Sequence, residues 1–162
     1  MKKAMCLFFC LLLLIFAGCS TEEESMIYPV TFYYMDAESE YGSGSSMIAS
    51  EIRDVKEHKN DYTYILNEYL MGPRVNGCIS PFPAGTTLDD LLMGSTKANI
   101  VLSGHFTVAT PAEMMLACAC LTKTVTELTG VKTVQISVST GKINGEEYLR
   151  FTADDFLFLT PD

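Results

Sequence analysis

Cys118 and Cys120, separated by one alanine, are the pair in this chain that most invites a metal or redox reading. Their setting argues against it. Thr110-Pro111-Ala112-Glu113 opens a helix that contains both, and residues two apart on a helix point about 200° away from each other. Two such thiols cannot easily grip one ion, and near neighbours on a helix make a poor disulfide. Cys118 falls on the stripe Met114, Cys118, Leu121, Val125 and Leu128 and reads as a small core hydrophobe. Cys120 stays open between an ordinary helical position and a disulfide with Cys78 in an oxidising compartment.

The other reactive groups are no better placed. Ser103-Gly104-His105 sets a hydroxyl near an imidazole. A nucleophile elbow needs Gly-x-Ser-x-Gly at a strand-to-helix turn, and Leu102 precedes this serine without that flank. His58 lies in a charged segment and is expected in solvent. Asp89-Asp90 would point to opposite faces of a strand and not converge for acid–base work. Asp154-Asp155 reads as a solubility and turn pair. Gly42-Ser43-Gly44 lacks the lysine and helix of a phosphate loop. The methionine-rich patches fall on apolar stripes and fit core packing. No catalytic, cofactor or metal site is expected.

The elements that would position these groups are short. Asp61 to Pro73 reads as one helix with a hard stop. Tyr62, Ile65, Leu66, Tyr69 and Leu70 recur at three- and four-residue spacings. Asn60 or Asp61 can cap its start. Gly72 can turn left-handed past its end, where Pro73 cannot continue. Pro29–Met35 is a strand with Val30, Phe32 and Tyr34 on one face. Residues 47–56 fit a strand or a helix equally. Arg74–Ser80 reads as a loop, Thr86–Met93 and Ala98–Ser103 as paired strands. The second helix begins at the capping box Thr110–Glu113, with proline at its first position, and ends at Gly130. Thr133–Ser139 alternates as a strand, and Asn144-Gly145 marks a turn. Phe156-Leu157-Phe158-Leu159 is apolar enough to dock on the domain or form a last strand; its alternative is a partner-binding tail.

These motifs carry a resemblance. Leu66, Leu70, Gly72 and Pro73, then Pro81-Phe82-Pro83-Ala84-Gly85-Thr86, then Ile100-Val101-Leu102-Ser103 with Phe106, resemble the GerMN domain of bacterial sporulation and spore-germination proteins. The match covers roughly residues 30 to 145. Val101 stands where the family usually has a polar residue. The domain occurs once, whereas the best-known member carries it in tandem. The resemblance implies an α+β fold, two helices packed on one face of a small mixed or mainly antiparallel sheet, similar to ring-building domains. It implies a structural serine at position 103, its hydroxyl bonded to backbone at a strand end. It also implies a non-enzymatic link to sporulation or germination through assembly with partners or itself.

The first residues give the compartment. Lys2 and Lys3 precede an uncharged run of 12 residues, Met5–Phe16, and Ala17-Gly18-Cys19. Such a run suits a secretion signal and is short for a bilayer span. Small residues before a cysteine resemble the bacterial lipoprotein signal, with Cys19 as the lipid-attachment site. Residues 1–18 are then the signal peptide, 19–28 the lipidated cysteine and a flexible acidic tether, and 29–162 the domain. Beyond the leader, 9 of the 11 basic residues face 20 acidic ones. That balance makes nucleic acid a poor partner. The expected protein is extracytoplasmic and anchored by lipid to the cell membrane. Its expected partner is an unknown envelope protein or a second copy. The rival expectation is an envelope lipoprotein that captures a small ligand.

Overall fold

A computed structural model describes residues 28–39 and 46–159, with the backbone alone for 157–159. The leader, Cys19, the tether to residue 27 and Gly42-Ser43-Gly44 lie outside the described residues. Among the described residues, no helix is long and apolar enough to cross a membrane.

Strand β1 (Pro29–Asp36) buries Val30, Phe32 and Tyr34 and pairs antiparallel with β2 (Ile48–Asp54). The 47–56 segment therefore forms a strand over Ile48–Asp54, followed by a 3-10 turn over Lys56–His58. Sequence left this open because the core-facing residues of β2 are charged. Glu51 and Arg53 are 5% and 7% exposed, while Ile52 between them is 54% exposed. Helix α1 (Tyr62–Leu70) follows, capped by the Asp61 carboxylate, which accepts from the Tyr64 N–H. Strand β3 (Cys78–Ile79) adds two residues to the other edge of β1, inside the segment expected to be loop.

The second half is a four-stranded sheet. Strands β4 (Leu88–Met93) and β5 (Lys97–Leu102) form a hairpin with a bulge between Leu88 and Asp90. Helix α2 (Pro111–Thr129) then crosses over to β6 (Thr133–Val138), which lies parallel to β5. A parallel neighbour requires such a crossover. A turn with Asn144 and Gly145 at φ 51° and 85° leads to β7 (Leu149–Phe151), antiparallel to β6. A 3-10 turn over Ala153–Leu159 closes the described chain, and Phe156 is buried against Phe151. The end of the domain thus docks on its own core at Phe156.

The α+β class, with two helices and mixed pairing, is as the sequence implied. The strands divide between two sheets, β2-β1-β3 and β4-β5-β6-β7, instead of forming one. Helix α2 contacts β1 of the first sheet and β6 of the second. It therefore buries more than the expected stripe: Ala117, Ala119, Cys120, Thr122 and Thr124 are enclosed as well as Met114, Cys118, Leu121 and Val125. A helix apolar nearly all round belongs between two layers.

Candidate functional site

The end of α1 is fixed by residues that come from β2. Gly72 takes φ +99°, the left-handed conformation that a Cβ disfavours. Arg53 reaches across and donates to the carbonyl oxygens of Glu68 (2.9 Å) and Gly72 (2.7 Å). A cation on the last carbonyls of a helix satisfies orphan acceptors and complements the dipole. The same guanidinium holds Glu51 with two bonds, from Nε at 2.8 Å and Nη2 at 2.9 Å, and donates to the Tyr34 hydroxyl at 2.9 Å. Glu51 also accepts from the Arg74 N–H at 2.9 Å. The Arg53 bond and the Arg74 N–H hold the Glu51 carboxyl below its ordinary range, against burial. The cluster is a buried brace that aims the chain after Gly72-Pro73. Its donors and acceptors are taken up by structure.

That brace sets up an apolar groove. Leu70, Met71, Phe82, Pro83 and Ala84, with Asn67, Ser80 and Gly85–Thr87, line a space of about 560 Å³. Met71 stands 81% exposed at its rim. Phe82 forms its floor, edge-on to Tyr69 at 5.4 Å. On the far side of Phe82 and Pro83 a second hollow of about 260 Å³ is walled by Met35, Pro81, Val108, Ala109 and Glu113. Val108 is 73% exposed there. The two hollows share Ser80, Phe82 and Pro83, so they make one surface around the 81–84 loop. Sequence patterns did not point to Met71, the C-cap of α1, or to Val108, the last residue of a short 3-10 turn over Gly104–Val108.

The reactive residues named from sequence lie apart from this groove or serve structure. The Ser103 hydroxyl accepts from the Thr87 N–H at 3.0 Å and donates to the Gly85 carbonyl at 3.4 Å, which ties the β4 entry to the end of β5. His105 is exposed, and its ring packs beside Gly85, where a Cβ would approach it to 3.4 Å. His58 is half-buried and stacks on Tyr64 with ring centres 3.6 Å apart, so it is less solvated than expected. Asp89 accepts from the Thr87 hydroxyl, and Asp90 accepts from the Leu91 N–H. The pair does not converge. Asp155 accepts from the N–H and hydroxyl of Thr152.

Cys78, Cys118 and Cys120 are free thiols. Burial pushes Cys118 and Cys120 up to about 12, and burial also raises Cys78. A thiol held protonated is a poor nucleophile and a poor ligand. Among the described residues, no group of three or more His, Cys, Asp or Glu side chains is placed to hold a metal ion. The arrangement suits apolar contact with another surface.

A family model described as Germane, sporulation and spore germination, matches residues 31–143. Among curated proteins nothing matches. The fold is similar to the tandem GerMN domains of the sporulation protein GerM from Bacillus subtilis. That match has a TM-score of 0.54 and 20% identity over 74% of this chain. The chain spans 43% of that structure. It is also similar to a Clostridium perfringens structure named "Putative Lipoprotein". Here the TM-score is 0.50 and the identity 17%, over 80% of this chain and 91% of the other.

Proposed function

The chain belongs to the Germane family of sporulation and spore germination, and from that membership we propose that it is a lipid-anchored, extracytoplasmic, non-enzymatic module that works by protein contact. The observation that carries this reading is the groove at the end of α1. Two of the sequence motifs, the Leu70–Pro73 stop and the Pro81–Thr86 entry, meet there, and they leave Met71 and Val108 in solvent beside an apolar floor. An exposed apolar surface of this kind favours a protein partner. The use of Ser103 by the backbone and the protonated state of the buried thiols support a non-enzymatic role. The basic start, the apolar run and Cys19 support a lipid anchor, as does the name of the similar C. perfringens protein.

Cross-linking in intact cells tests the contact. A photo-reactive residue at Met71 or Val108 should capture a reproducible envelope protein, and one at exposed Lys142, on the turn before β7, should not. Capture of nothing at Met71, together with a small molecule retained tightly by the purified chain, would favour the ligand-binding alternative. The anchor is tested separately with a fatty-acid probe, whose incorporation should vanish in Cys19→Ala.

A further inference from the structure

We propose that the outer edge of β2 pairs with β2 of a second copy, antiparallel, about a two-fold axis at Ile52. The proposal rests on the protein-contact reading and gives one of those contacts a partner.

The ladder shows which backbone groups face outward. The Val55 N–H donates to the Tyr28 carbonyl and the Asp36 N–H to the Met47 carbonyl, closing the β1–β2 pair at both ends. In an antiparallel ladder alternate residues bond to the partner. The odd-numbered residues of β2 therefore face β1, and the even-numbered ones turn N–H and C=O outward. At Ile48 both groups are covered by one side chain. The Ser46 hydroxyl accepts from the Ile48 N–H at 3.2 Å and donates to its carbonyl at 2.7 Å. At Ser50 and Ile52 no described residue supplies such a cover.

Two other edges are guarded. The far edge of β1 is bonded by β3 at Met35 and Asp36, and by two helix side chains at Tyr33. Strand β4 carries a bulge and two exposed aspartates, one of which takes the outward N–H of Leu91. An open edge beside guarded ones is a template for another strand.

The residues around the opening choose the partner. A two-fold axis at Ile52 sets this exposed side chain against Ile52 of the second copy. Glu51 then lies across from Arg53 of the second copy, and Arg53 across from its Glu51. Sliding by two residues would oppose Glu51 to Glu51, or Arg53 to Arg53, and like charges directly opposite destabilise a sheet. A slip of one residue turns the faces over. Strand β2 is thus complementary to itself in one register. Pairing joins the two three-stranded sheets into one of six strands.

The test uses the full chain in detergent after membrane extraction. Under mild oxidation Ile52→Cys should form a covalent dimer, because opposed Cα atoms on a shared ladder lie within disulfide reach. Ser50→Cys should not, since its twin lies about four residues along the strand, roughly 13 Å away. Ile52→Lys should shift the mass measured by light scattering from dimer to monomer. Ile52→Pro should do the same and stay folded, because the lost N–H points away from β1. Equal cross-linking at 50 and 52, or a dimer that survives both Ile52→Lys and Ile52→Pro, would overturn the proposal. If self-pairing is absent while Met71 still captures an envelope protein, the self-pairing falls and the protein-contact reading stands. If Met71 captures nothing either, both fall.

Discussion

The backbone N–H of Tyr33, on β1, donates to the hydroxyl of Thr124, on α2, at 3.0 Å. The carbonyl of the same residue accepts from the Tyr69 hydroxyl at 2.6 Å. One side chain from each helix thus closes the gap that β3 leaves along β1. Thr124 is fully buried, so its loss leaves a donor without water to turn to. Thr124→Val keeps the shape and removes the acceptor. It should cost about 1–3 kcal/mol in chemical denaturation, whereas Thr124→Ser should cost much less.

Gly72→Val tests the stop of α1. The nearest atom to an added Cβ would be Ser80 Cβ at 3.7 Å, an ordinary contact. The expected cost of about 1–2 kcal/mol is therefore backbone strain at φ +99°, not crowding. The melting temperature should fall by several degrees with the groove unoccupied. An unchanged melting curve would show that the turn relaxes without loss.

Glu51 gives a pH signature. Its folded carboxyl titrates below the ordinary range, chiefly through the Arg53 bond. A depressed acid contributes stability that is present above its unfolded value, about 4.3, and lost as pH falls through the folded value. Wild type should weaken over that acid interval. Glu51→Gln should be less stable at neutral pH, by about 3 kcal/mol or more, because Arg53 is left buried without its charge partner. It should also show a shallower acid decline. Parallel acid profiles would refute the assignment.

The thiols should separate by rate. With Cys118 and Cys120 fully enclosed and raised to about 12, alkylation at neutral pH should be slow at both and become fast in denaturant. Cys78 is half-buried and should react sooner. Mass spectrometry of peptides after timed labelling reads each site. Equal rates at all three in the folded chain would contradict the burial.

Local chemistry was legible in the sequence where the residues that decide a structure are close together. Thr110 and Glu113 form the reciprocal capping box they spell, Gly130 ends α2 at φ +73°, and Gly72 is left-handed. Ser103 holds backbone, as the family resemblance implied. What was hidden depends on distant partners. Glu51 and Arg53 give no apolar pattern to read, and they are core residues because Glu68, Gly72 and Arg74 arrive to satisfy them. Cys120 lies off the expected stripe and is buried because a second sheet covers that side of α2. The groove was illegible for the same reason. Met71 is exposed beside Phe82 only once the brace has aimed the intervening chain.

Helix α2 is shared by both sheets, and this bears on how the unit can be divided. A cut anywhere between β1 and β6 would strip one side of a helix whose two sides both need cover. Neither half is a self-sufficient folding unit, and the slowest-exchanging amides of β1 and β6 should open together at one free energy. For the same reason a duplication that kept such a unit folded would have to copy it whole.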